Sequence, residues 1–208
     1  MTLRTTVALA AAALAAPAFA GNPVFETVSI DFDELAPAPS TFADAGNSVG
    51  LIFDNISLSG GVLLGTESFG AAQDQASQPN MYATIETNPT HDRAIVIDID
   101  GGANSVSGLL FNGVSARITY VINAVDENGD QVARVTRSVA AFANGGFTEF
   151  QINSGNFDND IHQVSFHPVQ GRFFDYAIDA LQISSTVPTP GAAAGLALAG
   201  LVAARRRR

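Results

Sequence analysis

The stretch Ile95-Val96-Ile97-Asp98-Ile99-Asp100-Gly101-Gly102 decides the fold class. Three isoleucines alternate with Val96, Asp98 and Asp100, so one face is apolar and the other largely polar. Side chains of an extended chain point alternately to opposite faces, which makes this the pattern of a half-buried β-strand. Gly101-Gly102 reads as the turn that ends it. The same alternation recurs at Ile118, Tyr120 and Ile122 against Arg117, Thr119 and Asn123, and at Val164 and Phe166 against Gln163 and Ser165. In residues 51–58 the parity slips between Phe53 and Ile56, which places a bulge or tight turn at Asp54-Asn55. Gly60-Gly61, Asn112-Gly113, Asn128-Gly129 and Gly145-Gly146 separate the remaining runs. No part of residues 21–186 carries a 3.6-residue apolar period. The expected fold is all-β, an antiparallel β-sandwich of jelly-roll type with about ten short strands. Residues 36–46, with Pro37 and Pro39, and residues 68–80, rich in Ala, Gln and Ser, are expected to be the least regular.

Both ends of the chain read differently from this middle. Arg4, the apolar residues 7–16 and the Ala18-Phe19-Ala20 triplet have the order of a secretory signal peptide with an A-x-A cleavage site. Signal peptidase is expected to remove residues 1–20, cutting after Ala20. At the other end, Val187-Pro188-Thr189-Pro190 cannot continue a strand or a helix. The small apolar residues 191–204 follow, expected as a short hydrophobic helix, and then Arg205, Arg206, Arg207 and Arg208. That apolar run is shorter than the roughly 20 residues of an ordinary membrane span, and the arginines hold its end on the cytoplasmic side. The expected organisation is a signal peptide (1–20), a β-sandwich domain (21–186) and a sorting tail (187–208).

The tail resembles the PEP-CTERM sorting signal of exported bacterial proteins, which has a Pro-Glu-Pro-like motif, a short hydrophobic helix and a basic end. Pro188, Pro190, Gly191 and the arginine run match, and Thr189 stands where that family usually has Glu. The resemblance implies recognition by an exosortase-type membrane protease. It also implies transient anchoring in the inner membrane and transfer to the cell surface or extracellular matrix, often in bacteria that make exopolysaccharide.

The charge of the middle segment limits its partners. All 20 acidic residues lie there, against five arginines and no lysine, a net of −15. Such a surface repels nucleic acid and anionic lipid, so no nucleic-acid partner is expected, and it attracts divalent cations. There is no cysteine, so stability rests on the core, and thiol catalysis and zinc-thiolate sites are excluded.

Over residues 21–186 the order of features resembles the galactose-binding-like jelly rolls found in PEP-CTERM proteins and carbohydrate-binding modules. The features are a first strand Val28-Ser29-Ile30-Asp31-Phe32-Asp33, a Gly50-led strand, the Pro79-Asn80 step, a hairpin at Asp126-Glu127-Asn128-Gly129-Asp130, and a last strand over residues 174–181. Asp31 and Asp33 share a face of the first strand in this reading, and Asp175 and Asp179 a face of the last. The resemblance implies that first and last strands are neighbours with a structural calcium near that edge, and that Asp31, Asp33, Glu34 and Asp179 are its candidate ligands.

Other chemistry finds less support in the residues. Asp126-x-Asn128-x-Asp130 starts like an EF-hand loop, but Arg137 falls where a bidentate Glu is required, so a hairpin turn is expected. His91, His162 and His167 have no metal-ligand spacing. There is no nucleophile elbow, P-loop or dinucleotide fingerprint. Glycan recognition uses aromatic platforms beside polar groups, and the chain has no Trp and three Tyr. Arg172 with Phe173 is the candidate stacking site. The function expected is a non-catalytic, surface-sorted protein of the exopolysaccharide matrix, with a carbohydrate-binding module as the alternative and a secreted polysaccharide hydrolase third.

Overall fold

The period-two segments become strands of two antiparallel sheets. The structure, a computed structural model, describes residues 24–45, 49–84, 94–156, 158–169 and 175–187. The signal-peptide residues, tail residues 188–208, His91, Arg172 and Phe173 lie outside them, whereas Val187 ends β12. The strands are β1 (Val24–Ile30), β2 (Leu51–Phe53), β3 (Ile56–Ser59), β4 (Val62–Gly65), β5 (Asn80–Thr84), β6 (Val96–Ala103), β7 (Ser105–Asn112), β8 (Ile118–Val125), β9 (Gln131–Val139), β10 (Phe147–Asn153), β11 (Ile161–Pro168) and β12 (Tyr176–Val187). One sheet has the order β10-β7-β12-β5-β4, with β1 also paired to β12. The second has the order β2-β3-β6-β11-β8-β9. Within the second sheet β2–β3 and β8–β9 are hairpins, whereas β6 to β7, β7 to β8, β9 to β10, β10 to β11 and β11 to β12 all cross between sheets. This is a β-sandwich. Among the described residues no helix is long and apolar enough to cross a membrane.

The core follows the alternation. Ile95, Ile97 and Ile99 are buried between the sheets, Asp98 is half-buried and Asp100 is exposed. Phe150 and Phe166 meet edge to face across the gap, with ring centroids 5.1 Å apart, a geometry that adds to their area burial. All three tyrosines are buried, and two of them use their hydroxyls to fix backbone outside their own strands. Tyr82 accepts from Gly61 N at 3.0 Å and donates to Val49 O at 2.7 Å. Tyr176 accepts from Ile95 N at 2.8 Å and donates to Phe166 O at 2.9 Å. Burial raises the Tyr176 hydroxyl far above its ordinary range, so it titrates nowhere near physiological pH. These rings are structural and offer no platform to a sugar.

Several expectations shift in detail. The parity slip at Asp54-Asn55 is a two-residue hairpin turn, with Phe53 opposite Ile56 and Asp54 at φ +48°. Gly101-Gly102 is not a turn. It lies inside β6 as a bulge, and Gly102, at φ +70°, has no room for a Cβ because Asn159 O would stand 2.0 Å away. The register with β11 slips there, between Ile161 and Gln163. The Asp126–Asp130 segment is the hairpin loop between β8 and β9, as expected. Its Asp126 carboxylate accepts from Asn128 N and Asp130 N, both at 2.9 Å. Those bonds hold its pKa below the usual range. Within residues 68–80 the chain is more regular than its composition suggests. Thr66–Gln75 makes two 3-10 turns kinked at Phe69-Gly70. Phe69 anchors them on a second apolar cluster with Leu64, Met81, Phe111 and Ala177, on the outer face of the first sheet.

Candidate functional site

The first strand ends earlier than the sequence pattern implies. β1 stops at Ile30, so Asp31 and Asp33 do not share a strand face; they sit in the turn that follows. The turn forms because Phe32, at φ +63°, drops its ring into the core against Tyr82 and Phe53. Buried Asn80 holds the turn from below. Its Nδ2 donates to Phe32 O (3.1 Å), Leu35 O (3.2 Å) and Ala36 O (3.2 Å), and its Oδ1 accepts from Ala38 N at 2.8 Å. Likewise Asp175 precedes β12, and only Asp179 belongs to the strand.

First and last strands are neighbours: β1 pairs antiparallel with β12 from Val24↔Val187 to Ile30↔Leu181. This brings the acidic turn beside Asp179. Asp179 is 0% exposed. Its Oδ2 accepts from Ser77 N at 2.7 Å, its Oδ1 accepts from Ala180 N at 2.7 Å, and Ser77 Oγ reaches both oxygens at 3.0 Å. Burial dominates and pushes its pKa up to about 7; the Ala180 and Ser77 bonds oppose the rise and the neighbouring Asp33 adds to it. Asp33 is also raised, first by burial and then by Asp31. Its Oδ1 is buried without a hydrogen-bond donor.

As a calcium site this set fits only in part. The orphaned Asp33 oxygen suits a cation, and Asp31 and Glu34 are exposed on the same turn. Asp179, however, already has its donors from Ser77 and Ala180. Among the described residues no three His, Cys, Asp or Glu side chains converge to hold a metal ion. A calcium ion needs six to eight oxygens, so backbone carbonyls and water would have to complete the shell.

A different feature lies on the outer face of the first sheet, beside the apolar cluster that the 3-10 turns cover. The registers align Gln151 with Ser107, Ser107 with Gln182 and Gln182 with Ser29. This row crosses β10, β7, β12 and β1. The next row out aligns Asn153, Ser105, Ser184 and Thr27 in the same way. Two shallow depressions occupy this face. One, of about 580 Å³, is lined by Ser107, Leu109, Glu149, Gln151 and Gln182 among others. The other, of about 410 Å³, is lined by Asn104, Ser105, Asn153, Asn156 and Ser184, with Phe25 at its rim, 46% exposed. A bulge in β12 between Asp179 and Gln182 lies against Gly108. A Cβ on Gly108 would stand 2.9 Å from Asp179 O, so glycine lets the strands close up beneath the first depression.

Sequence reasoning missed this face. Its signal was present in Ser105, Ser107, Gln151, Asn153, Gln182 and Ser184, which are the polar halves of three alternating strands. Only strand order and register show that they adjoin. Arg137, on the edge strand β9, donates from Nε to Glu149 O at 3.2 Å and so closes that side of the sandwich.

A third, smaller depression at the β2–β3 turn is lined by Asp54, Asp98 and Asp100. Asp98 accepts from Gln163 Nε2 at 2.7 Å, and none of the three is buried.

A crystal structure of a DUF4465 family protein from Bacteroides caccae is similar to this chain, with a TM-score of 0.51 and 10% identity over 76% of this chain and 98% of that one. An arabinose-bound α-L-arabinofuranosidase matches at TM-score 0.42 and 11% identity, over 77% of this chain and 26% of that one. A family 29 carbohydrate-binding module matches at TM-score 0.37 and 12% identity, over 78% of this chain and 92% of that one. The first likeness is one of fold, and the other two are too loose to argue from. No protein-family model matches the chain, and no curated protein does.

Proposed function

We propose that this is an exported, non-catalytic protein of the extracellular polysaccharide matrix, whose jelly-roll-like sandwich binds glycan on the polar face of its first sheet. The observation that carries the reading is the pair of hydrogen-bonding rows across β10, β7, β12 and β1, which open onto two depressions. Amide and hydroxyl side chains both donate and accept, as sugar hydroxyls do. Export with removal of residues 1–20 by signal peptidase, and sorting by an exosortase-type protease through Pro188, Pro190, Gly191 and the terminal arginines, complete the proposal. Calcium belongs to it at the Asp31, Asp33 and Glu34 turn, where it gives Asp33 Oδ1 a partner. Arg172 and Phe173 precede β12 in the chain and stay in the proposal as a stacking pair.

The alternative, a binding module with one defined glycan, shares this face and differs in selectivity. A glycan array probed with the purified protein in calcium separates them. Saturable binding to one glycan class supports the module, and graded binding to several supports the matrix protein. A blank array overturns glycan binding altogether.

A further inference from the structure

The domain is strongly acidic, yet its polar face is almost free of charge. Among the described residues lining the two depressions, Glu149 and Arg137 carry charge, and both sit at one end of the first. Arg137 is engaged there by the carbonyls of Glu149 (3.2 Å) and Thr136 (3.1 Å). The two aligned rows hold only Gln, Asn, Ser and Thr. Acidic residues stand at the borders instead. Glu149 is at one end, and at the other Asp160 accepts from Asn156 Nδ2 at 2.8 Å, with Asp158 exposed beside it. Carboxylates flanking the β10 end of a neutral strip repel a polyanion and leave an uncharged polymer unaffected.

Geometry adds a direction. Neighbouring strands are about 4.8 Å apart, close to the length of one hexose in an extended chain. Gln151, Ser107, Gln182 and Ser29 therefore present one polar side chain per strand at nearly the spacing of successive sugars. We infer that the ligand of this face is an uncharged polysaccharide chain lying across the strands, about one hexose per strand, with Gln151 and Gln182 as the residues that hold it. This rests on the glycan-binding reading and narrows it to a class.

Native affinity electrophoresis tests it, with gels containing a soluble xylan, glucomannan, galactan, dextran or polygalacturonate. The expected result is retardation by at least one neutral polymer and none by polygalacturonate. Gln151→Ala and Gln182→Ala together should weaken the neutral interaction about tenfold or more, since each removes a hydrogen-bonding group. Both residues are exposed, and unchanged melting temperatures would show the variants folded. Glu149→Gln should admit weak retardation by polygalacturonate. Stronger binding to polygalacturonate than to any neutral polymer, lost in the Gln variants, would overturn the uncharged class while sparing the glycan reading. Neutral binding that the Gln variants do not weaken would overturn the assignment of this face. No retardation by any polymer would overturn both.

Discussion

Asp179→Asn tests how the last strand is tied to the segment before β5, and its signature is a dependence on pH. Asp179 is wholly buried, and its pKa rises from 3.8 to about 7. The folded state therefore holds this proton more tightly than the unfolded chain does. The stability gained from the protonated carboxyl is complete below about pH 4 and is lost as pH rises toward 7. Each pH unit between those values costs about 1.4 kcal/mol, for a total of about 4 kcal/mol as an upper figure. In a domain of this size that is roughly 10 °C in Tm. The substituted amide cannot titrate, and it turns an N–H₂ toward either Ser77 N or Ala180 N, which in the wild type donate to the carboxyl oxygens. The variant should melt below wild type at pH 4.5, and the gap should narrow steadily to pH 7.5. Thermal melts by circular dichroism at half-unit intervals measure this. Parallel pH profiles for the two proteins would refute the reasoning, because the wild-type slope would then arise elsewhere.

Three further outcomes follow from other parts of the molecule. Asn80→Ala should cost about 3 kcal/mol, measured by urea denaturation, because it strips the donor from the carbonyls of Phe32, Leu35 and Ala36. If calcium binds the acidic turn, EGTA should lower the Tm by mass action; an unchanged melt argues against a tight site. Replacing Pro188 and Pro190 by Ala should leave unprocessed protein in the inner-membrane fraction on immunoblots, and normal processing would count against the sorting signal.

The alternation at Ile95, Ile97 and Ile99 is enough to read a β-sandwich, because each strand has one buried and one wet face. Strand ends are less legible. β1 ends at Ile30 because Phe32 turns inward, and nothing in Asp31-Phe32-Asp33 distinguishes a strand from a turn that buries an aromatic ring. Gly101-Gly102 reads as a turn because a glycine pair serves turns and bulges equally well. That Asp179 lies close to the acidic turn is expected from a resemblance; its engagement by Ser77 and Ala180 is not. The polar face has no local signature at all. Gln151, Ser107 and Gln182 are far apart in sequence, and only the β10-β7-β12 pairing places them side by side.

The most direct test of glycan binding on this face is a chemical-shift titration of the ¹⁵N-labelled protein with an uncharged hexasaccharide of the polymer it binds most strongly. The account predicts that the largest shifts fall on Ser29, Ser107, Gln151 and Gln182, along one row across four strands. Shifts confined to other loops or to the opposite sheet would contradict it.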